Sequence, residues 1–420
     1  MRLCVHLEMH LNPLLPLPPL EEQHRRRMFW ECYALDRYSS STLGRPFAIA
    51  DEDIEVNLPV ALSDEDVVVK EAGHLDDTAS STTLSTVGDR NSMSVFIFYT
   101  RLRQITSHIH DAFFSGASRA YSKGSTPPSG HDLTTVGLIC TKMQTLLNEL
   151  QEWRQQAPVY SQAYSLYQRE QWYDFLLEKE RLTLVRGAMN RLPSQAGRQR
   201  RLVQLCGQYA SRIIQLYYDM FSRSEINTTR GYFQTLFSAG LSLAYCLSSG
   251  CMGASMSPSD SNDESKVLRT CSELLWKMSE TMQDARPYAV TFDFIQQSLS
   301  NETQFQSQEA TQVQGAMPPS VHTQTAETAL LPMDPLLMPG TSSLPSVLQH
   351  NSGDVHTDLQ VPQNWYTWDP SMQMLMANME ADVNRFAFDT FSMDPTFEFE
   401  QLETMDNMFP YDWQWSSGPT

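Results

Sequence analysis

The chain has 420 residues, with 49 acidic side chains against 30 Lys and Arg and a formal net charge of −19. That length holds two or three domains of ordinary size and permits a large buried core. The charge has the wrong sign for a chain that grips nucleic acid by neutralising phosphates, and no apolar run of about 18 residues is present to span a membrane.

The charge is unevenly spread. From Asn301 onward sixteen acids face a single base, Arg385, so that segment carries −15 and the first 300 residues only −4. The sequence is a nearly neutral body with an acidic tail. Its seven cysteines are dispersed, without C-x-x-C spacing, and read as the thiols of a reduced, intracellular protein.

The opening MRLCVHLEMHLNPLLPLPPL has a superficial likeness to a secretory leader, but Glu8, two His and four Pro interrupt its apolar run, so no leader is expected. A helix is predicted over Leu20–Leu43, preceded by Pro18 and Pro19, with Glu21 and Glu22 at its positive end and Gly44 to cap it. GRPFAIADEDIEVNLP follows as an extended stretch, then a loop over residues 60–92. Val95, Phe98, Leu102, Ile105 and Ile109 keep helical spacing within Asn91–Phe114. After a loop over 116–131, Val136, Cys140, Met143, Leu147, Leu150 and Trp153 do the same within Leu133–Gln156, which Pro158 stops. Helices are further predicted over Tyr164–Leu192, Arg201–Phe221, Gly231–Leu247, Val267–Ala285 and Tyr288–Leu299, with a linker over 250–265.

No run alternates as a strand would, so the fold class is all-α: a multi-helix domain over residues 1–299. Residues 300–360, rich in Gln, Ser, Thr, Pro and Met, read as a disordered linker. Residues 361–420 are a disordered acidic tail holding twelve aromatic side chains. Among them Trp365, Trp368, Phe386, Phe388, Phe391, Phe397, Phe399, Phe409, Trp413 and Trp415 are the expected anchors. Acids that repel one another keep such side chains open to a hydrophobic groove on a partner, which is the composition of an acidic activation segment.

The most specific pattern is EEQHRRRMFWECYALDRYSSSTLGRPFAIADEDIEVNLP. A basic run ending in Arg27 leads to Phe29, Trp30 and Tyr33, then Asp36 and Arg37, then Gly44-Arg45-Pro46, then Asp51, Asp53 and Leu58-Pro59. Arg27, Asp36 and Arg37 lie on one helix and are placed to anchor Asp51 and Asp53 by charge-assisted hydrogen bonds. Trp30 and Tyr33 are core anchors, Gly44 permits a positive φ, and Pro46 fixes the exit of the chain. This reading makes the pattern a structural one rather than a ligand site.

The same residues, in order and without gaps, resemble the signature of the regulatory "middle homology" domain of fungal zinc-cluster transcription factors. The resemblance extends more loosely to about residue 298. It implies a nuclear transcription regulator, not an enzyme, whose tail contacts coactivators or the transcription machinery and which forms homo- or heterodimers. In that family, DNA and zinc are bound by an N-terminal cluster of six closely spaced cysteines. The dispersed cysteines here cannot build one, so no cofactor is expected in this chain, and DNA is reached only through a missing N-terminal segment. MRLCVHLEMH resembles the middle of the domain rather than its start, so the domain over residues 1–299 is expected to be N-terminally truncated, without the helices that precede this stretch in the family. The alternative is a modulator that does not bind DNA and pairs with a full-length factor.

Weaker signals point elsewhere. His6 and His10 stand four apart, but HLEMH misplaces the general base of H-E-x-x-H, and no P-C-x-x-C follows. Arg25–Arg27 and Arg198–Arg201 are short basic clusters that read as solvated helix faces. No G-x-S-x-G, Walker or Rossmann motif occurs.

Overall fold

A computed structural model describes residues 1–71, 92–114, 133–191, 196–249, 258–299 and 370–387. The chain divides into two units, Met1–Ser300 with Trp368–Thr420, and Asn301–Thr367. The second unit, which covers most of the predicted linker, lies outside the described residues.

Every regular element described is helical, which agrees with the expected all-α class. The α-helices are α1 (Arg2–His6), α2 (Pro19–Leu43), α3 (Asp64–Glu71), α4 (Ser92–Phe113), α5 (Leu133–Gln155), α6 (Glu170–Met189), α7 (Ala196–Ser222), α8 (Arg230–Ser248), α9 (Pro258–Ser279), α10 (286–299) and α11 (Pro370–Phe386). α6 packs against α5, α4 and α7, and α8 against α7, α9 and α11.

Side-chain rows set these contacts. α8 is buried along nearly its whole length, as expected of a helix apolar on most sides. Its Gly240 lets α10 approach: a Cβ there would stand 2.4 Å from a ring carbon of Phe292. α4 and α5 meet through Phe98, stacked on Trp153 at 4.2 Å, whose indole N–H donates to the Phe98 carbonyl at 2.8 Å. Between α2, α4 and α6 lies a buried ion pair, Arg103–Glu180 at 3.3 Å. Beside it Lys179 places its ammonium over the Tyr38 ring, and burial, with Arg103 next, pulls its pKa down to about 8.

Several predicted boundaries are corrected. The loop over 60–92 contains α3, whose start is organised by Ser63: its hydroxyl accepts from the Asp66 amide at 3.2 Å. Helix α9 begins at Pro258, inside the predicted linker, and stops at Ser279, with a separate 3₁₀ turn at Gln283–Ala285. Helix α6 begins only at Glu170, after a 3₁₀ turn at Leu166–Gln168. Helix α11 lies within residues 361–420, the predicted acidic tail.

Candidate functional site

Helix α2 is long because Pro19 at its first position, Glu21 and Glu22 in its first turn and the absence of an inner Pro all favour it. It ends where Gly44 takes φ 63° and Arg45 donates its amide to the Ser40 carbonyl at 2.8 Å. That left-handed cap turns the chain back, and residues 45–62 run antiparallel along α2 as a strap.

Side chains of α2 bind the strap's backbone in place of a partner strand. Asp36 accepts from the Ala48 amide at 3.1 Å, and Arg37 donates to the Ile49 carbonyl at 2.8 Å. Trp30 donates to the Asn57 carbonyl at 3.0 Å, Gln23 accepts from the Val60 amide at 2.9 Å, and Arg27 donates to the Leu62 carbonyl at 3.2 Å. These contacts satisfy backbone groups that the fold takes from water.

Arg37 is the centre of the clamp. It is fully buried, pairs with Asp36 at 2.8 Å and Asp51 at 2.6 Å, and lies between the rings of Tyr33 and Phe47, at 4.1 and 4.2 Å. Tyr33 donates to the same Asp51 oxygen at 2.8 Å, and burial pushes its phenol well above the usual range. The expected anchoring of Asp51 by Arg37 is therefore present. Arg27 instead pairs with Asp64 at the start of α3, at 2.5 Å. Burial alone would raise the Asp64 carboxyl, but Arg27 and His24 hold it below its ordinary range. Asp53 is exposed in a 3₁₀ turn and stays outside the clamp, as do the exposed Arg45 and Pro46. Phe29, Trp30 and Pro59 are buried. Phe47, Gln23 and Asp64 do clamp work that their sequence positions did not signal.

Under the strap's first turn a cavity of about 260 Å³ is lined by Phe47, Ile49, Ser107, His110 and Phe114. It falls below the ~300–1,000 Å³ of ordinary small-molecule sites. His6 ends α1 and His10 lies in the following turn, so the two share no helix face. The His10 carbonyl accepts from the Glu55 and Val56 amides at 2.9 and 3.0 Å, while Cys4 and Met9 enter the core. This is a packing role. Among the described residues no three His, Cys, Asp or Glu side chains gather to hold a metal ion. The six described cysteines sit on six different helices. Among the described residues no helix is long and apolar enough to cross a membrane.

The second constellation joins the tail to the domain. Glu380 of α11 accepts from both terminal nitrogens of Arg186 on α6, one at 2.6 Å, and from the Ser238 hydroxyl on α8. Burial would raise its pKa, but the guanidinium and the hydroxyl outweigh burial and keep it below the ordinary carboxylate range. Gln234 donates to Asn384 at 2.8 Å. Phe386, 5% exposed, meets Phe233 edge-on at 5.7 Å and Tyr288 at 5.4 Å, with the Arg230 guanidinium 4.4 Å above its ring. Val383 is buried beside it, and α11 also touches α2. Phe386 was expected to stay open to a partner; instead it fills a slot in the domain, because Phe233, Tyr288 and Arg230 offer it rings and a cation. Trp365, Trp368, Phe388, Phe391, Phe397, Phe399, Phe409, Trp413 and Trp415 lie outside the described residues.

The clamp lies within the stretch that comparison with known proteins matches. Residues 1–155 match the family described as "Fungal specific transcription factor domain", and this stretch carries that domain. The positive regulator of purine utilization of Emericella nidulans is 25% identical over 148 residues, which are 33% of this chain and 13% of that protein. Protein STB5 of Saccharomyces cerevisiae is 36% identical over 94 residues, 21% of this chain and 12% of that protein. The matched stretches thus span about an eighth of the length of these curated relatives. No solved structure matches the chain.

Proposed function

We propose that the protein is a transcription regulator of the fungal zinc-cluster type, acting in the nucleus on genes read by RNA polymerase II. The helical domain sets the output, and the acidic, aromatic tail engages coactivators or the transcription machinery. The observation that carries this reading is the clamp. Arg27, Asp36, Arg37 and Asp51 are all engaged in holding or bracing the strap. That is the work of a folding framework, not of a catalytic centre, and it lies in the stretch that carries the fungal domain. In this reading zinc and direct DNA contact belong to a six-cysteine segment whose residues this sequence does not contain. Residues 361–420 fused to a foreign DNA-binding domain are expected to activate a reporter; a silent fusion, present at normal levels, would remove the activating role.

A second reading, a modulator that pairs with a full-length factor, is favoured by the dispersed cysteines and the acidic net charge. Gel-shift measurements separate the two. The chain alone should retard no DNA, and on the second reading a mixture with a zinc-cluster partner gives a band heavier than the partner's own.

A further inference from the structure

Residues 12–19, NPLLPLPP, join the turn after α1 to α2, and neither the clamp nor the tail uses them. Pro13, Pro16 and Pro19 stand three apart, and Pro18 adds a fourth ring. Proline fixes φ near −65° and drives the residue before it to an extended ψ. Leu15, Leu17 and Pro18 each precede a proline, so residues 15–18 are biased towards the polyproline II helix, with three residues per turn and a backbone open to water. The structure agrees. The chain bends at Leu14 and Leu15, runs through residues 16–18 without a regular element, and enters α2 from Pro18 at φ −53° and ψ 138°. With three residues per turn, Leu15 shares an edge with Pro18, and Pro16 with Pro19. Leu15 is 77% exposed and the three prolines are exposed with it, whereas Leu17, on the third edge, is half-buried. Two apolar edges thus stand in water with a backbone already set, which lowers the entropy lost when a partner covers them. Exposed Glu21, in the first turn of α2, places a negative charge at the end of the segment.

We propose that residues 15–19 are a docking motif for a partner domain of the SH3 type, one whose aromatic rings form a groove for polyproline II ligands and whose rim is basic. Leu15 and Pro16 enter one slot between the rings, Pro18 and Pro19 enter the next, and a basic side chain on the rim meets Glu21. Leu17 stays on the side of its own domain. Leu14 is 97% exposed but sits in the bend, off both docking edges, and takes no part. This contact is separate from the activating role proposed for the tail and stands or falls without it.

The test titrates the full chain against the purified, immobilised SH3 and WW domains of one filamentous fungus. An SH3 domain with a basic rim is expected to bind, and a synthetic peptide of residues 12–22 to compete with the chain for it. Leu15→Ala combined with Pro16→Ala is expected to weaken binding by about tenfold or more, because both side chains leave their slot. Leu14→Ala is expected to change it by less than about twofold, and Glu21→Lys to weaken it by about threefold through the rim charge. The alanine changes fall on exposed side chains, so the melting temperature should hold, which separates loss of the motif from loss of the fold. The proposal is overturned if no SH3 domain binds at about 100 μM chain, or if only WW domains do. It also falls if Leu14→Ala costs as much as the double change, since the contact is then unspecific apolar adhesion. Stronger binding by Glu21→Lys would overturn the basic rim.

Discussion

The clamp on α2 and the seat of α11 use the same chemistry at very different sequence distances. In each, an arginine grips a carboxylate. Arg37 and Asp51 are 14 residues apart, whereas Arg186 and Glu380 are 194 apart. The clamp closes through a capped helix and one tight turn, so little loop entropy opposes it. Its arginine is fully buried and its strap is tied at successive backbone groups. The seat closes a long loop and leaves its arginine one-third exposed. The first arrangement suits a permanent framework, and the second suits a contact that can be made and broken.

Substitutions sharpen that contrast. Arg37→Leu is expected to cost most, about 3–5 kcal/mol, because Asp51 and the Ile49 carbonyl lose their buried partner. Denaturant unfolding measures it, and adding Asp51→Leu should recover part of the loss. A loss under about 1 kcal/mol would show that the clamp does not fix the strap.

Acid distinguishes the seat from the clamp next. Arg186 holds the folded-state pKa of Glu380 below its ordinary value near 4.3. Its contribution is therefore complete above that ordinary value and is lost as pH falls through the depressed one. Hydrogen exchange of the α11 amides should accelerate on acidification in that window, before the domain melts. Glu380→Gln should abolish the dependence. Protection that persists down to global unfolding would make α11 part of the core.

Smaller effects test the surroundings of each region. Gly240→Ala, under the α10 contact, drives a methyl into Phe292 and is expected to cost about 1–3 kcal/mol in unfolding free energy. Trp30→Phe keeps an aromatic ring beside Phe29 and Tyr33 but leaves the Asn57 carbonyl without its donor, for a loss of about 1 kcal/mol. Gly44→Ala meets no atom within 4 Å, so its expected cost, also about 1 kcal/mol, comes from φ 63° alone. If Gly44→Ala is as stable as the parent, the left-handed cap is not what turns the strap back.

Most of the helices, the cap at Gly44 and the Arg37–Asp51 anchor were legible in the sequence. Apolar spacing, Pro before Gly, and charges one turn away from a cap act over a few residues. What escaped was decided by partners distant in the chain. Asp64 could not be matched with Arg27, nor Phe47 with Arg37, before the strap's path was known. The start of α3 was hidden in an acidic, low-periodicity stretch that Ser63 and Arg27 organise.

The tail shows the division most plainly. Composition determined that residues 361–420 carry excess acid and clustered aromatics, and hence the kind of surface they can engage. Composition did not determine that Glu380 and Phe386 have a seat within the same chain. That seat exists only once α6, α8 and α10 bring Arg186, Ser238, Phe233 and Tyr288 together. Local patterns fix helices because their interactions span one turn. A groove is fixed by side chains from several helices, and its selectivity appears only when they are packed.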